Sequence, residues 1–270
     1  MRLTKINITP VKGTRIQRVE SEILGMDGVS SNRRFFFINE NGALINGKFI
    51  GQLTKIISRY EPITNRLGLE FPDGTLLEEP VRLGDDVIET NFYGRSVYGR
   101  LVIGPWGKAV SDFTVRDVRL VQVLPGITAT DVHPVTIITA STLEYLKSRS
   151  NAPDERWSDR FRMLLEIDGG VEFIEDGWIG SEIRIGEAVV RVAGPVPRCV
   201  VTTRNPVTGE SDFQTLLALR QIRGENLAEL GTPTEHLPDG GKILLGVYAD
   251  VVKPGKVWEG CSVHTRDAQN

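Results

Sequence analysis

The sequence predicts an α+β protein that is rich in β-structure. Short apolar runs separated by turn residues fill the first half, whereas helical signals are few and lie mostly in the second half. The chain has 270 residues, of which 40% are apolar and 25% charged, so it is long enough for one large domain or two of ordinary size. We expect a division between Gly104 and Leu120, which gives domains of residues 1–115 and 116–267.

The first half is expected to consist of short strands. Residues 1–8 alternate polar and apolar side chains and predict a strand. The apolar and aromatic residues 34–38 predict another, and Asn-Gly within residues 39–42 favours a tight hairpin turn after it. Residues 72–74, Pro-Asp-Gly, separate two further short runs. Strands and turns at this spacing are typical of a barrel or a sandwich.

Two helices are predicted near the middle of the chain. Residues 141–144, Ser-Thr-Leu-Glu, have the pattern of a capping box and predict a helix as far as about Lys147, preceded by a strand at residues 135–138. Pro153 fits the first turn of a second helix over residues 154–161, because proline there gives up only an amide hydrogen that has no intrahelical partner.

A third helix is predicted nearer the C-terminus. Residues 211–222 carry apolar side chains at helical spacing, with the Ser211 hydroxyl available as a cap. Residues 223–242 are rich in Gly, Pro and polar residues and are interpreted as a surface loop or partial lid.

Charge and hydropathy exclude two classes of partner. The formal net charge is −3 and no basic run exceeds Arg33-Arg34, so we expect no nucleic-acid partner. No segment approaches the roughly 18 consecutive apolar residues of a membrane span, and the N-terminus lacks the continuous apolar core of a signal peptide. We therefore expect a soluble, cytoplasmic protein.

Cysteine and histidine usage limits the metal chemistry. Cys199 and Cys261 are the only cysteines, so this chain alone cannot assemble an iron-sulfur cluster or a Cys-rich zinc site. A disulfide between them is the minority alternative, because a reducing compartment favours free thiols. The three histidines, His133, His236 and His264, do not have the spacing of metal ligands.

The most informative segment is residues 194–203, in which a proline-rich corner is followed by Arg198 and Cys199. A neighbouring guanidinium favours the thiolate, which is the form that binds metals or attacks electrophiles. On local sequence alone a buried structural cysteine is the stronger interpretation, since free cysteine usually behaves as a small buried hydrophobe.

Longer motifs change that balance. Arg-Cys-Val-Val-Thr-Thr at residues 198–203 and Asn-Pro-Val-Thr-Gly-Glu at residues 205–210 resemble the signature of the MOSC proteins, named for the C-terminal domain of molybdenum cofactor sulfurases. Residues 175–186 resemble an upstream motif of that family, and residues 10–13 and 32–36 resemble its companion N-terminal domain. The arrangement is similar to that of the mitochondrial amidoxime-reducing components and their bacterial relatives. It implies an N-terminal β-barrel-like domain and a MOSC β-barrel domain with a few flanking helices.

The resemblance also implies a cofactor and its contacts. It implies that the molybdenum cofactor is bound, with Cys199 as the metal ligand and catalytic residue and with basic side chains on the phosphate of the pterin. By motif position the cofactor contacts are Lys12, Arg34, Thr139, Arg162, Arg198 and Cys199. Thr139 and Ser141 have an alternative role as helix caps, and an ordinary surface cation is the alternative for Lys12 and Arg162.

Some positions depart from the family pattern. Asn205 replaces the usual Asp, and Met163-Leu164 replaces a common Pro-Asn whose Asn can face the cofactor. Cys261 stands where an Asp is usual, and we interpret it as structural.

The resemblance implies a molybdenum-dependent oxidoreductase that reduces small N-hydroxylated substrates of the amidoxime or hydroxylamine type. Electrons would come from a separate donor protein of the ferredoxin, flavoprotein or cytochrome type. A sulfur-carrier or cofactor-carrier module with a persulfide on Cys199 is the main alternative. A ligand-binding β protein with a buried thiol is a third, and a cysteine hydrolase with His133 as its base ranks below these.

Overall fold

The computed structural model describes residues 1–152, 156–229 and 243–266. The strands are β1 (Arg2–Ile8), β2 (Gln17–Val19), β3 (Ser21–Gly25), β4 (Gly28–Val29), β5 (Phe35–Ile38), β6 (Leu44–Ile45), β7 (Ile57–Glu61), β8 (Arg66–Glu70), β9 (Leu76–Pro80), β10 (Arg82–Phe92), β11 (Arg95–Ile103), β12 (Arg119–Val123), β13 (Val135–Thr139), β14 (Leu165–Asp168), β15 (Glu182–Ile185), β16 (Ala188–Pro197), β17 (Leu244–Lys253), β18 (Gly255–Trp258) and β19 (Val263–Arg266). The α-helices are α1 (Trp106–Thr114), α2 (Ala140–Ser150) and α3 (Thr215–Glu229). Short 3-10 helices lie at Gly51–Lys55, Trp157–Phe161, Ile174–Trp178 and Val200–Thr203.

An eight-stranded sheet is built mainly from the second half of the chain, in the order β19-β15-β16-β17-β13-β14-β1-β2. β1 pairs antiparallel with β14, so that Ile6 lies opposite Leu165. β13 and β14 are parallel neighbours, and α2 lies in the connection that parallel strands require. Apolar side chains from most of these strands form a continuous buried core that includes Ile183, Val190 and Val247.

A five-stranded sheet in the order β10-β11-β12-β5-β6 dominates the first half. Three-stranded sheets β7-β8-β9 and β18-β3-β4 accompany it. The aromatic run of β5 is completely buried because Phe35 and Phe37 face one core, while Phe36 faces another that contains Phe92. This two-sided burial explains why the run shows no polar alternation.

The α+β, β-rich class is confirmed. The sheets of the expected barrel-like domain and MOSC barrel domain are not closed into barrels in the residues that the structure describes. In the larger sheet β19 pairs with β15. Residues 1–3 also contact residues 260–263 through one isolated bridge, Arg2 opposite Ser262, and three backbone hydrogen bonds. A barrel needs a continuous ladder that closes the sheet, and among the described residues β1 and β19 do not form one.

The expected domain division between residues 115 and 116 stays a prediction. Strands pair across it in both directions. β1 joins the sheet of the second half through β14, and β12 joins that of the first half through β5.

The hairpin predicted at residues 39–42 is confirmed by the pairing of β5 with β6. The turn predicted at residues 72–74 is confirmed by the pairing of β8 with β9.

Predicted helix boundaries need correction. α2 begins before the predicted capping box, because the hydroxyl of Thr139 accepts the amide hydrogen of Thr142 and caps the helix. Trp157–Phe161 forms a 3-10 helix rather than the predicted α-helix, whose first residues, 153–155, lie outside the described part.

The third helix begins at Thr215 rather than at Ser211, since Ser211 is bridged to Arg204 in extended conformation. It continues to Glu229, so residues 223–229 are helical and not part of the predicted loop. The remainder of that loop, residues 230–242, lies outside the described residues.

α1 was not predicted, although Trp106 and Val110 have helical spacing and are both buried. Among the described residues, no helix combines the length and apolar character that crossing a bilayer requires.

Candidate functional site

A cleft with an empty volume of about 1030 Å³, open solvent included, brings together residues from both halves of the chain. Its lining from the first half includes Lys12, Arg33, Asn46 and Tyr93. The lining from the part after the expected division at residue 115 includes Asp131, His133, Arg162, Met163, Arg198, Cys199, Arg204 and Tyr248. Ligand sites commonly lie where two parts of a fold meet, so this cleft is the candidate site.

Cys199 lies where β16 ends and the 3-10 helix Val200–Thr203 begins. Cys199 is the N-terminal cap of this 3-10 helix, and its carbonyl accepts the amide hydrogen of Thr202 over 3.1 Å. Pro195 and Pro197 accompany register shifts that end the regular pairing of β16 with β17. The thiol is free and Cys199 is exposed in the cleft, which excludes a buried structural cysteine at this position.

Cys261 is the opposite case. It is also free, it is buried in the core of the larger sheet, and burial raises the pKa of its thiol. The two cysteines therefore form no disulfide, and the predicted structural role of Cys261 agrees with its position.

Arg198 is held firmly beside the thiol. Its guanidinium donates to the carbonyl oxygen of Phe161 and approaches the Met163 sulfur at 3.4 Å. It also lies over the Phe161 ring, 5.5 Å from the centroid. Among the described residues its buried Nε has no hydrogen-bond partner, although such donors are nearly always satisfied in folded proteins. Burial lowers the pKa of Arg198 to about 10, and the group stays charged at neutral pH.

Lys12 and Asp131 form a pair inside the cleft. The Lys12 Nζ lies 2.6 Å from Asp131 Oδ1 and donates to the Ala129 carbonyl over 2.9 Å. Burial lowers the pKa of Lys12 to about 8, although the charge of Asp131 opposes that change. Burial acts to raise the pKa of Asp131, but Lys12 and Arg33 outweigh it and lower the pKa to about 2. The site therefore combines several cations with one carboxylate.

Arg33 and Arg162 are adjacent. Arg162 has a left-handed backbone, with φ 53°, and donates to the Thr14 carbonyl over 2.7 Å. Arg33, with φ 48°, donates to the Arg162 carbonyl over 3.3 Å. Burial lowers the pKa of Arg162 to about 10, and the charge of Arg33 acts in the same direction. Two arginines that line the same cleft favour an anion there.

Two of the predicted contacts are not part of the cleft lining. Arg34 donates to the Leu124 carbonyl over 3.4 Å, and Arg33 takes the place in the cleft that was predicted for it. Arg33 lies in a turn with left-handed backbone before β5 begins, and this conformation turns its side chain, rather than that of Arg34, toward the cleft. Thr139 is fully buried and bonded to Thr142 and Glu175, so it acts as a helix cap away from the cleft.

Residues 204–210, the loop after the 3-10 helix Val200–Thr203, make hydrogen bonds to the first half of the chain. The hydroxyl of Thr54 donates to the Pro206 carbonyl over 3.0 Å, and Arg204 bonds the carbonyls of Lys48 and Gly209. Gly51 and Gly209 meet so closely that a methyl group on either would overlap the carbonyl oxygen of the other. The glycine of the sequence motif therefore permits a close approach of two backbones.

Asn205, which replaces the usual Asp, still organises this loop. Its Oδ1 accepts the amide hydrogens of Val207 and Thr208 over 2.8 and 3.1 Å, as an aspartate would. Its Nδ2 donates to Asp212 over 2.8 Å. The departure therefore keeps the local turn.

Sequence reasoning missed Asp131, Arg33 and Tyr93 in the cleft. Nothing in the local pattern around Asp131 distinguishes it from other loop carboxylates, since its role arises from the distant Lys12.

His133 also lines the cleft. Its Nδ1 is within hydrogen-bond distance, 2.8 Å, of the Asp250 carboxylate. In the described residues, no group of three or more His, Cys, Asp or Glu side chains is placed to hold a metal ion.

Comparison with known proteins gives a consistent family. The chain is 24% identical over 277 residues to mitochondrial amidoxime-reducing component 1 of Mus musculus, covering 95% of this chain and 79% of that protein. It is 26% identical to mitochondrial amidoxime reducing component 2 of Homo sapiens, covering 97% and 82%. It is 24% identical to molybdenum cofactor sulfurase of Drosophila grimshawi, covering 89% of this chain and 33% of that protein. The model of the MOSC domain matches residues 125–264, which is more than half of the sequence, and the chain belongs to the MOSC domain family.

Proposed function

We propose that the cleft binds the molybdenum cofactor and that the protein is an oxidoreductase for N-hydroxylated compounds. One observation carries this proposal: the exposed thiol of Cys199 lies in the same cleft as the cations of Lys12, Arg33, Arg162 and Arg198. The relatives named as amidoxime-reducing components support the reaction class.

The residues present fit such a cofactor. A thiolate is a soft ligand and suits a metal already held by sulfur. A phosphate dianion favours bidentate Arg or a Lys point charge, and Arg33, Arg162 and Lys12 supply both kinds. The buried Arg198 Nε, which has no hydrogen-bond partner among the described residues, offers one further donor beside the thiol.

The chain's own residues would bind and orient the cofactor. Cys199 would ligate the metal, and Arg198, fixed by Phe161 and Met163, would keep a positive charge beside the sulfur. Lys12, Arg33 and Arg162 would hold the phosphate, with Asp131 keeping Lys12 in position. When bound, the cofactor supplies a metal centre that takes up electrons and removes oxygen from nitrogen.

The reaction is a two-electron reduction. The N–O bond of the substrate breaks, nitrogen gains a hydrogen, and oxygen leaves as water, with two protons from solvent. With two cysteines in all, the chain cannot carry an iron-sulfur cluster of its own. The electrons would therefore come from a donor protein of the ferredoxin, flavoprotein or cytochrome type.

A sulfur-transfer or cofactor-carrier role is the second candidate. The exposure of Cys199 would let it carry a persulfide, and the likeness to a molybdenum cofactor sulfurase favours this alternative. It uses the same thiol but requires no turnover of an N-hydroxylated substrate.

Metal and sulfur analysis after gentle purification tests the proposal. We expect molybdenum and pterin near one per chain, reduction of an amidoxime with a chemical electron donor, and loss of both molybdenum and activity in Cys199→Ala. Cys261→Ala is the matched control and should keep both. Metal-free protein with a persulfide on Cys199 would support the carrier role instead, and full activity in Cys199→Ala would exclude the ligand role.

A further inference from the structure

Tyr93 occupies an unusual position at the tip of the hairpin between β10 and β11. Phe92 pairs with Arg95, so Tyr93 and Gly94 form a two-residue turn, with φ angles of 55° and 100°. Such turns favour Asn, Asp or Gly, because both positions need left-handed backbone. A bulky residue there is strained, and strain of this kind concentrates at functional sites.

The structure holds the Tyr93 side chain in place. Buried Asn46 donates from Nδ2 to the Tyr93 hydroxyl over 2.8 Å. Arg95, the residue after the turn, donates to the carbonyls of Thr128 and Thr130 over 3.2 and 2.6 Å. The hairpin tip is therefore bonded both to buried Asn46 and to the segment that leads to Asp131.

The ring nevertheless remains open to solvent. Tyr93 is 61% exposed, although it lines the same cleft as Cys199. Burial of the hydroxyl raises the pKa of Tyr93, and the charges of Asp131 and Cys199 act in the same direction, so the phenol is neutral. The hydroxyl accepts from Asn46 and keeps its own O–H as a donor, while the exposed ring offers a ligand an apolar face.

We propose that Tyr93 determines specificity, its ring being the surface on which a planar aromatic group of the substrate stacks. The cleft lining also contains Val201, which is partly exposed and adds apolar surface for such a group. Aromatic N-hydroxylated compounds are therefore bound better than small aliphatic ones. The reaction named here rests on the proposed function, whereas the stacking role rests on the cleft alone.

Steady-state kinetics with benzamidoxime and acetamidoxime test the inference. Tyr93→Asn should raise KM for benzamidoxime about tenfold, equivalent to about 1.4 kcal/mol and within the range known for aromatic pairs. KM for acetamidoxime and kcat for both should change less than about twofold. Tyr93→Phe keeps the ring and should retain the wild-type preference. Tyr98→Asn, on the same hairpin but outside the cleft lining, is the matched control and should behave as wild type.

Binding of benzamide, which is neutral like benzamidoxime and has no N–O bond to reduce, gives a readout independent of turnover. Titration calorimetry should show about tenfold weaker binding to Tyr93→Asn than to wild type. The melting temperature of this variant should equal or exceed that of wild type, because Asn suits the turn. Equal benzamide binding by both proteins, or none by wild type, would overturn the stacking role. Ring-dependent binding without any amidoxime reduction would instead refute the proposed function and leave the stacking role standing.

Discussion

The ammonium group of Lys12 lies 2.6 Å from Asp131, although the two residues are far apart in sequence. The lysine side chain is only 8% exposed, whereas that of Asp131 is 44% exposed. Asp131 therefore faces the open cleft while it neutralises a cation that is nearly sealed in the protein.

Asp131→Asn should lower the free energy of unfolding by about 2 kcal/mol at pH 7, because it leaves a buried ammonium without its counter-ion. Urea unfolding measures the change. Asp85→Asn, at an exposed position of β10, is the matched control and should alter the free energy by less than about 0.5 kcal/mol. Identical unfolding midpoints for wild type and Asp131→Asn would show that the pair does not stabilise the fold.

Lys12 should also give stability a characteristic pH dependence. Its pKa falls from 10.5 to about 8 on folding, so between these values the unfolded chain binds more protons than the folded one. The contribution of Lys12 to the free energy of unfolding therefore increases as pH rises from 8 to 10.5, by up to about 3 kcal/mol. Urea unfolding of wild type and Lys12→Met across this range measures it, and a constant difference between the two proteins would contradict the pKa.

Phosphate binding should depend on Arg33 more than on Arg34. Arg33 lines the cleft beside Arg162, whereas Arg34 is bonded to the Leu124 carbonyl. We expect Arg33→Ala to reduce the molybdenum content of the purified protein about tenfold, the cost of one charge-assisted contact. Arg34→Ala is the matched control and should keep most of the metal. A greater loss of molybdenum in Arg34→Ala than in Arg33→Ala would instead support Arg34 as the phosphate contact, as motif position predicts.

The two thiols should differ sharply in reactivity. Exposed Cys199 is expected to react with iodoacetamide in the metal-free native protein, whereas buried Cys261 should react only after unfolding. Mass spectrometry should show one label per native chain and two per unfolded chain. Labelling of Cys261 before Cys199 would mean that the burial of the two residues has been assigned the wrong way round.

The contact between Gly51 and Gly209 should tolerate no side chain. Gly51→Ala places a methyl group against the Gly209 carbonyl, and we expect a loss of about 2 kcal/mol or more with weaker cofactor retention. Gly177→Ala meets no atom within 4 Å and should be close to neutral. Thermal unfolding and molybdenum content compare the two variants, and equal behaviour would mean that the loop can move aside.

The sequence allowed the fold class, several turns and the motif around Cys199 to be predicted, since each depends on local residue patterns. The hairpin at residues 39–42 follows from Asn-Gly chemistry alone. The start of α2 was misplaced because Thr139 and Ser141 are both good caps, and the choice depends on the distant Glu175.

The composition of the cleft was less accessible from sequence. Arg33 and Arg34 have the same chemistry, and the left-handed backbone of Arg33 decides which one faces the cleft. Asp131 and Tyr93 carry no motif of their own. Their roles arise from contacts with Lys12 and Asn46, which are remote in sequence.

The position of β1 has a consequence for experiments with fragments. Residues 125–264, expressed alone, would lack the strand that covers the edge of β14, leaving a row of unsatisfied amide and carbonyl groups next to a hydrophobic surface. Such a fragment is expected to self-associate through this edge. A synthetic peptide of residues 1–8, added in trans, should cover the edge of β14 and reduce the self-association.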